Sequence, residues 1–256
     1  MTHLQLISIQ RGTQIGLHHR KKGVHDLAKV IGFAGVDKHD IILFLARLLA
    51  KSGKKILLVD DSETQALHCS ISYPKGLNPH KEAVEYGSFE FLCRVSLGSL
   101  DYSTDYDFVL IDFGFCTNHP DVAQCDVIEF VTDMKRHNLL RLLSPNFTTL
   151  LARSRDGDSP AVYLIFRDWV DCKINKAYLA EVMKGFCVPE EFQYQLYLDV
   201  DDYTLQLLSQ YDTVYQFRRV SAAVKDYLID TLVKVFDFTG EDAQKIFKAY
   251  AGGGLE

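Results

Sequence analysis

The chain has 256 residues, 47% of them hydrophobic and 24% charged, with six prolines. Such a composition excludes a long disordered, fibrous or low-complexity protein and supplies apolar material for a sizeable core. The formal net charge of −6 and pI near 5.8 exclude a globally basic surface, so no nucleic acid is expected as a partner.

Residues 1–27 read as an N-terminal strand or hairpin extension: LQLISI (4–9) alternates and stops at Arg11-Gly12, and the basic run from His18 to Lys22 reads as a solvated turn. Residues 28–251 read as one α/β domain, and the closing GGGLE (252–256) as a linker scar foreign to the fold. AKVIGFAG (28–35) is a buried strand. DIILFLARLLAKSG (40–53) has apolar residues at helical spacing and ends on Lys51 and Gly53, and KKILLVDD (54–61) is a second strand closed by two acids. A right-handed crossover makes these two strands parallel.

SFEFLCRVSL (88–97) is expected to be helical, DYDFVLIDFGF (105–115) a third strand tipped by Asp112, and CDVIEFVTD (125–133) a fourth. A helix over RHNLLRLLSPNF, a strand over AVYLIFRDWVD (161–171), a helix over 176–186, a strand over 194–200 and a helix over 221–236 complete the alternation. The pattern predicts a doubly wound, mostly parallel sheet with helices on both faces. Ligands in such sheets bind at the carboxyl ends of the strands, which directs attention to the loops beginning at Gly35, Asp60, Asp112, Val131 and Arg167.

The six cysteines lack CxxC spacing and read as reduced thiols, and the nine histidines lack HExxH spacing, so no metal site is indicated. No apolar run reaches the ~18 residues of a membrane span, and a cytoplasmic protein is expected.

A phosphate loop needs glycines that let backbone N–H groups face an anion, a lysine, and a Ser or Thr for Mg²⁺. GVDKHD (35–40) supplies part of this. The order of that loop, then ILLVDD, YDFVLIDFGF and CDVIEFVTD, resembles the MinD/ParA family of P-loop ATPases over roughly residues 28–236, with GVDKHD on the family's GVGKTT. The resemblance implies a P-loop NTPase fold and assigns Gly35, Val36, Asp37, Lys38, His39, Asp40 and Asp112 to a vestigial nucleotide site. Lys38 falls on the phosphate-contacting lysine, Asp60 on the catalytic switch aspartate and Asp112 on the acid that holds Mg²⁺. The departures are many: Phe33 stands at the family's signature lysine, Ala34 and Asp37 at loop glycines, and His39 and Asp40 at the Mg²⁺ hydroxyls. Asp40 is available instead to cap the following helix. Arg167 falls near the place of an adenine-reading asparagine, and FGFC (113–116) replaces the usual switch.

The expectation is a degenerate, pseudo-ATPase scaffold or positioning factor for a larger assembly such as secretion or pilus machinery. The TadZ/CpaE group is similar in tolerating atypical loops. No cofactor is expected, with Mg-ATP the alternative. Protein partners and a nucleotide-independent homodimer are expected. Two alternatives stay open: a weak Mg-ATPase or nucleotide switch using Lys38, Asp60 and Asp112, and a receiver-like phospho-signalling module. The face of Ala243, Ile246, Phe247 and Tyr250 offers either a peripheral membrane contact or packing on the chain's own domain.

Overall fold

The sequence pattern becomes one eight-stranded sheet in the computed structural model, which describes residues 28–71, 75–99, 105–115, 119–142, 149, 160–183, 188–211 and 219–252. The expected 1–27 extension and all but the first residue of 252–256 lie outside the described residues. Strand β1 (Lys29–Gly35) leads into α1 (His39–Lys51), β2 (Ile56–Asp60) and α2 (Ala66–Ser70). A hairpin of β3 (Val84–Tyr86) and β4 (Phe89–Cys93) follows, then β5 (Phe108–Asp112), β6 (Val127–Thr132) and α3 (Arg136–Leu142). The chain continues through β7 (Ala161–Trp169), α4 (Lys176–Val182), β8 (Gln193–Tyr197), α5 (Val200–Tyr211), α6 (Ala222–Lys234) and α7 (Gly240–Gly252).

The spatial order is β3-β4-β2-β5-β1-β6-β7-β8, parallel except for β3 against β4. Strands β2, β5 and β6 are buried along their whole length, as a parallel sheet covered on both faces requires. Alternate residues divide between two cores. Ile31, Phe33, Leu58, Leu110 and Val131 pack under α1, α6 and α7; Val30, Ala34, Val59, Ile111 and Phe130 pack under α3 and α4. Full burial of a side chain such as Phe33 contributes about 2–3 kcal/mol.

One expectation is corrected here, and two open alternatives are decided. The helix expected over 88–97 is instead the β3–β4 hairpin, with Tyr86 opposite Phe89 across the two-residue turn Gly87-Ser88. Gly87, at φ +62°, supplies the left-handed first turn residue that such hairpins need, and Phe89 and Phe91 face the core while Glu90 does not. The receiver-like alternative fails because a receiver that starts at β2 would, in the order 2-1-3-4-5, set the strand following β5 directly beside it, whereas the earlier β1 lies between β5 and β6. The α7 face is not free for a bilayer. Ala243 and Phe247 are buried against the α1 and α6 side of the core, and Ile246 and Tyr250 pack beside them. No described helix is long and apolar enough to cross a membrane.

Candidate functional site

Parallel pairing brings the carboxyl ends of β1, β2, β5, β6 and β7 to one edge of the sheet. Asp60 lies beside Asp112, Phe33 on the other side of Asp112, Gly35 beside Val131, and Thr132 beside Phe166, next to Arg167. Every expected site residue therefore gathers at one place, and the side chains then answer one another.

Gly35 turns the chain off β1 with φ +120°, and a Cβ there would stand 1.8 Å from the Val131 carbonyl oxygen. The glycine is demanded by this close approach whatever the loop binds. Its N–H donates to the Gly114 carbonyl, and the Val36 N–H to the Val131 carbonyl, so two loop amides are held by protein. Val36 is half-buried and Asp37 exposed.

Lys38 turns inward. Its Nζ lies 2.7 Å from Asp112 Oδ1 and donates to the Gly35 carbonyl at 3.2 Å, with both side chains buried. Asp112 Oδ1 also accepts the Gly114 N–H at 2.7 Å. Asp60, fully buried, accepts from the Ser62 N–H and hydroxyl through Oδ1 and from the His68 N–H through Oδ2. Burial pushes its carboxyl up, Asp112 adds to this, and the hydrogen bonds only partly offset it. Next to it, Asp61 lies 2.9 Å from His119 Nε2, which ties the loop after β2 to the loop after β5.

Asp40 does not cap α1. It sits within the first turn, Lys38 is the cap residue, and no side chain bonds to the cap. Asp40 instead forms a forked pair with Arg167, at 3.0 Å to Nη1 and 3.2 Å to Nη2. Arg167 Nη1 also donates to the Asp37 carbonyl. Burial by itself would raise Asp40, but the Arg167 guanidinium and then His39 outweigh it and hold the carboxyl below its usual range. Burial likewise opposes the charge on Arg167, and Asp40 more than restores it. The clamp spans 127 positions of chain, and no local pattern announces it. Position alone marked Arg167; its partner was not legible.

From α5, Gln210 Nε2 meets His39 Nε2 at 3.0 Å, so this helix lies over the start of α1. The cavity lined by Asp40, Arg167 and Tyr203 measures about 30 Å³, room for one water.

No protein-family model and no curated protein matches the chain. Solved structures do. It is similar to a plasmid partition protein from Borrelia burgdorferi B31 bound to AMPPNP, at 13% identity and a TM-score of 0.54, over 87% of this chain and 99% of that one. It is similar also to the MinD cell division protein of Aquifex aeolicus, at 14% identity and a TM-score of 0.53, over 83% and 98%. The MinC:MinD complex from the same organism matches at 14% identity and a TM-score of 0.50, over 90% and 98%. With its parallel sheet wound around a central β1, this chain has the fold of the MinD/ParA P-loop ATPases.

Proposed function

We propose that the chain is a MinD/ParA-type positioning or scaffolding protein that acts without hydrolysing nucleotide, docking a protein partner in a larger assembly such as secretion or pilus machinery. The observation that carries this reading is the pair of buried ion pairs, Lys38–Asp112 and Arg167–Asp40, across the site where phosphates would lie. A polyphosphate would have to take Lys38 from Asp112 and part Arg167 from Asp40. Either exchange would leave a carboxylate, Asp112 or Asp40, without its present counter-charge. Once parted from Arg167, the Asp40 carboxylate would repel an anion brought to the loop. Two further points support a protein partner: the acidic net charge, and a structural neighbour solved as a complex of two cell division proteins.

One observation favours a second reading, a weak nucleotide switch. His39 Nδ1 is buried beside the loop with no hydrogen-bond partner among the described residues, and Lys38 and Asp112 keep the family's positions. Titration calorimetry with ATP and ADP at millimolar concentration, with and without Mg²⁺, separates the two. The scaffold reading expects no heat and no thermal shift. Micromolar binding that weakens in Lys38→Ala would replace it with the switch.

A further inference from the structure

On the far side of Asp60 lies a second cluster, distinct from the Lys38–Asp112 and Arg167–Asp40 pairs. We propose that His68, His80 and Cys93 form a zinc-binding site. The three residues come from separate segments: His68 from α2, His80 from the turn before β3, and Cys93 from the end of β4. His68 Nδ1 lies 3.0 Å from Cys93 Sγ, the His68 and His80 rings are 5.5 Å apart, and one ligand atom from each residue falls within 4.8 Å of the other two. With Zn–N near 2.0–2.1 Å and Zn–S near 2.3 Å, a tetrahedral site has ligand–ligand edges of about 3.4–3.8 Å. At 3.0 Å the His68–Cys93 pair is a few tenths of an ångström inside that edge and opens slightly to admit the ion. His80 is exposed and sits in a turn, so it closes the remaining ~1 Å by side-chain rotation.

Each ligand is fixed from behind. The His68 N–H donates to Asp60 Oδ2, the His80 N–H to Asn78 Oδ1, and the Cys93 N–H to the Pro79 carbonyl, which pins the His80 turn to the strand end that carries Cys93. The donor set is one sulfur and two imidazoles, which selects Zn²⁺ over Mg²⁺ or Ca²⁺. Binding breaks the Cys93 S–H bond, releases that proton to solvent, and forms one Zn–S and two Zn–N bonds, with His68 entering through Nδ1 and a water in the fourth position. The site then carries a net charge of +1, and the buried Asp60 carboxylate, whose charge bears on both His68 and Cys93, compensates it.

The architecture gives such an ion a task. Helix α2 has only five residues, begins after the left-handed Gln65 at φ 51°, and has no side-chain cap bond. A helix this short does not hold itself. Zinc would tie it to β4 and to the 78–82 turn, and so steady the loop that Asp60 opens.

The test titrates Zn²⁺ into the chelator-treated full chain against a chromophoric chelator, and records the electronic spectrum with Co²⁺. One equivalent is expected, with a rise in Tm, a thiolate-to-cobalt charge-transfer band and the intensified d–d bands of tetrahedral cobalt. Cys93→Ser should abolish the charge-transfer band, and the surface variant His80→Gln, which leaves the core intact, should lower zinc affinity by at least the roughly 10–100-fold that loss of an outer-shell partner costs. No uptake, a cobalt spectrum without the thiolate band, or uptake unchanged by both substitutions would overturn the assignment.

Discussion

Two buried acids in this chain respond to pH in opposite directions, because their surroundings differ. Asp40 faces Arg167, and its folded pKa is depressed below 3.8. The stabilisation from that pair is therefore complete above the ordinary carboxylate range and is lost as pH falls through the lowered folded value. Asp40→Asn leaves Arg167 with only the longer contact to the exposed Asp168, and urea melts should show a loss of about 3 kcal/mol; the double change Asp40→Leu with Arg167→Met should restore much of it. Glu129 sits on β6 among apolar side chains. Burial pushes its carboxyl up to about 7 despite the hydrogen bond from the Tyr227 hydroxyl. The folded state thus keeps a proton that the unfolded chain releases above its ordinary 4.5, so stability falls as pH rises from about 4.5 to 7, by on the order of 3 kcal/mol, and then levels. Glu129→Gln should flatten that slope in chemical denaturation series run at pH 5 and pH 7.5. An unchanged slope would place the titration elsewhere.

Among the elements, α7 decides between a membrane contact and an internal one. Phe247 is 5% exposed, and its ring lies 5.8 Å from Lys225 Nζ on α6. Phe247→Ala should therefore cost about 3–5 kcal/mol in a urea melt. Liposome co-sedimentation should be absent in the intact chain, and appreciable pelleting of folded protein would contradict the packing described here. The core strands and their order along the chain were legible in the sequence because a doubly covered parallel strand is a continuous apolar run with a polar tip, as in ILLVD and FVLID. The β3–β4 hairpin was not. Phe89, Leu92 and Cys93 also fit a helical spacing, and only the Gly87-Ser88 turn, with Phe89 and Phe91 alternating around Glu90, distinguishes the two. The positions of the site residues followed from the loop's place after β1, whereas their pairing did not. Lys38 with Asp112, and Asp40 with Arg167, are contacts between distant strand tips that exist only once the sheet is assembled.

At the scale of the whole molecule, the surface outside the loop cluster carries its own signal. On α5, Leu205 and Ser209 face inward, while Val200, Tyr203, Leu207 and Tyr211 recur at helical spacing on the opposite side and are 79%, 53%, 41% and 85% exposed. Such a stripe can pair with its own copy about a two-fold axis, as the nucleotide-independent homodimer expected from the sequence would require. Sedimentation should then give a dimer mass with or without nucleotide, and Leu207→Glu with Tyr211→Lys should give a monomer of unchanged Tm. A wild-type monomer at the highest soluble concentration would end the homodimer proposal. The central place of β1 has a further consequence, for biosynthesis. Among the described strands its neighbours are β5, from residue 108, and β6, from residue 127, so β1 has no described lateral partner until about two-fifths of the 256 residues exist. At roughly 5–20 residues per second, that leaves an apolar strand unpaired for several seconds on the ribosome. The nascent chain should therefore depend on chaperones that hold extended apolar segments.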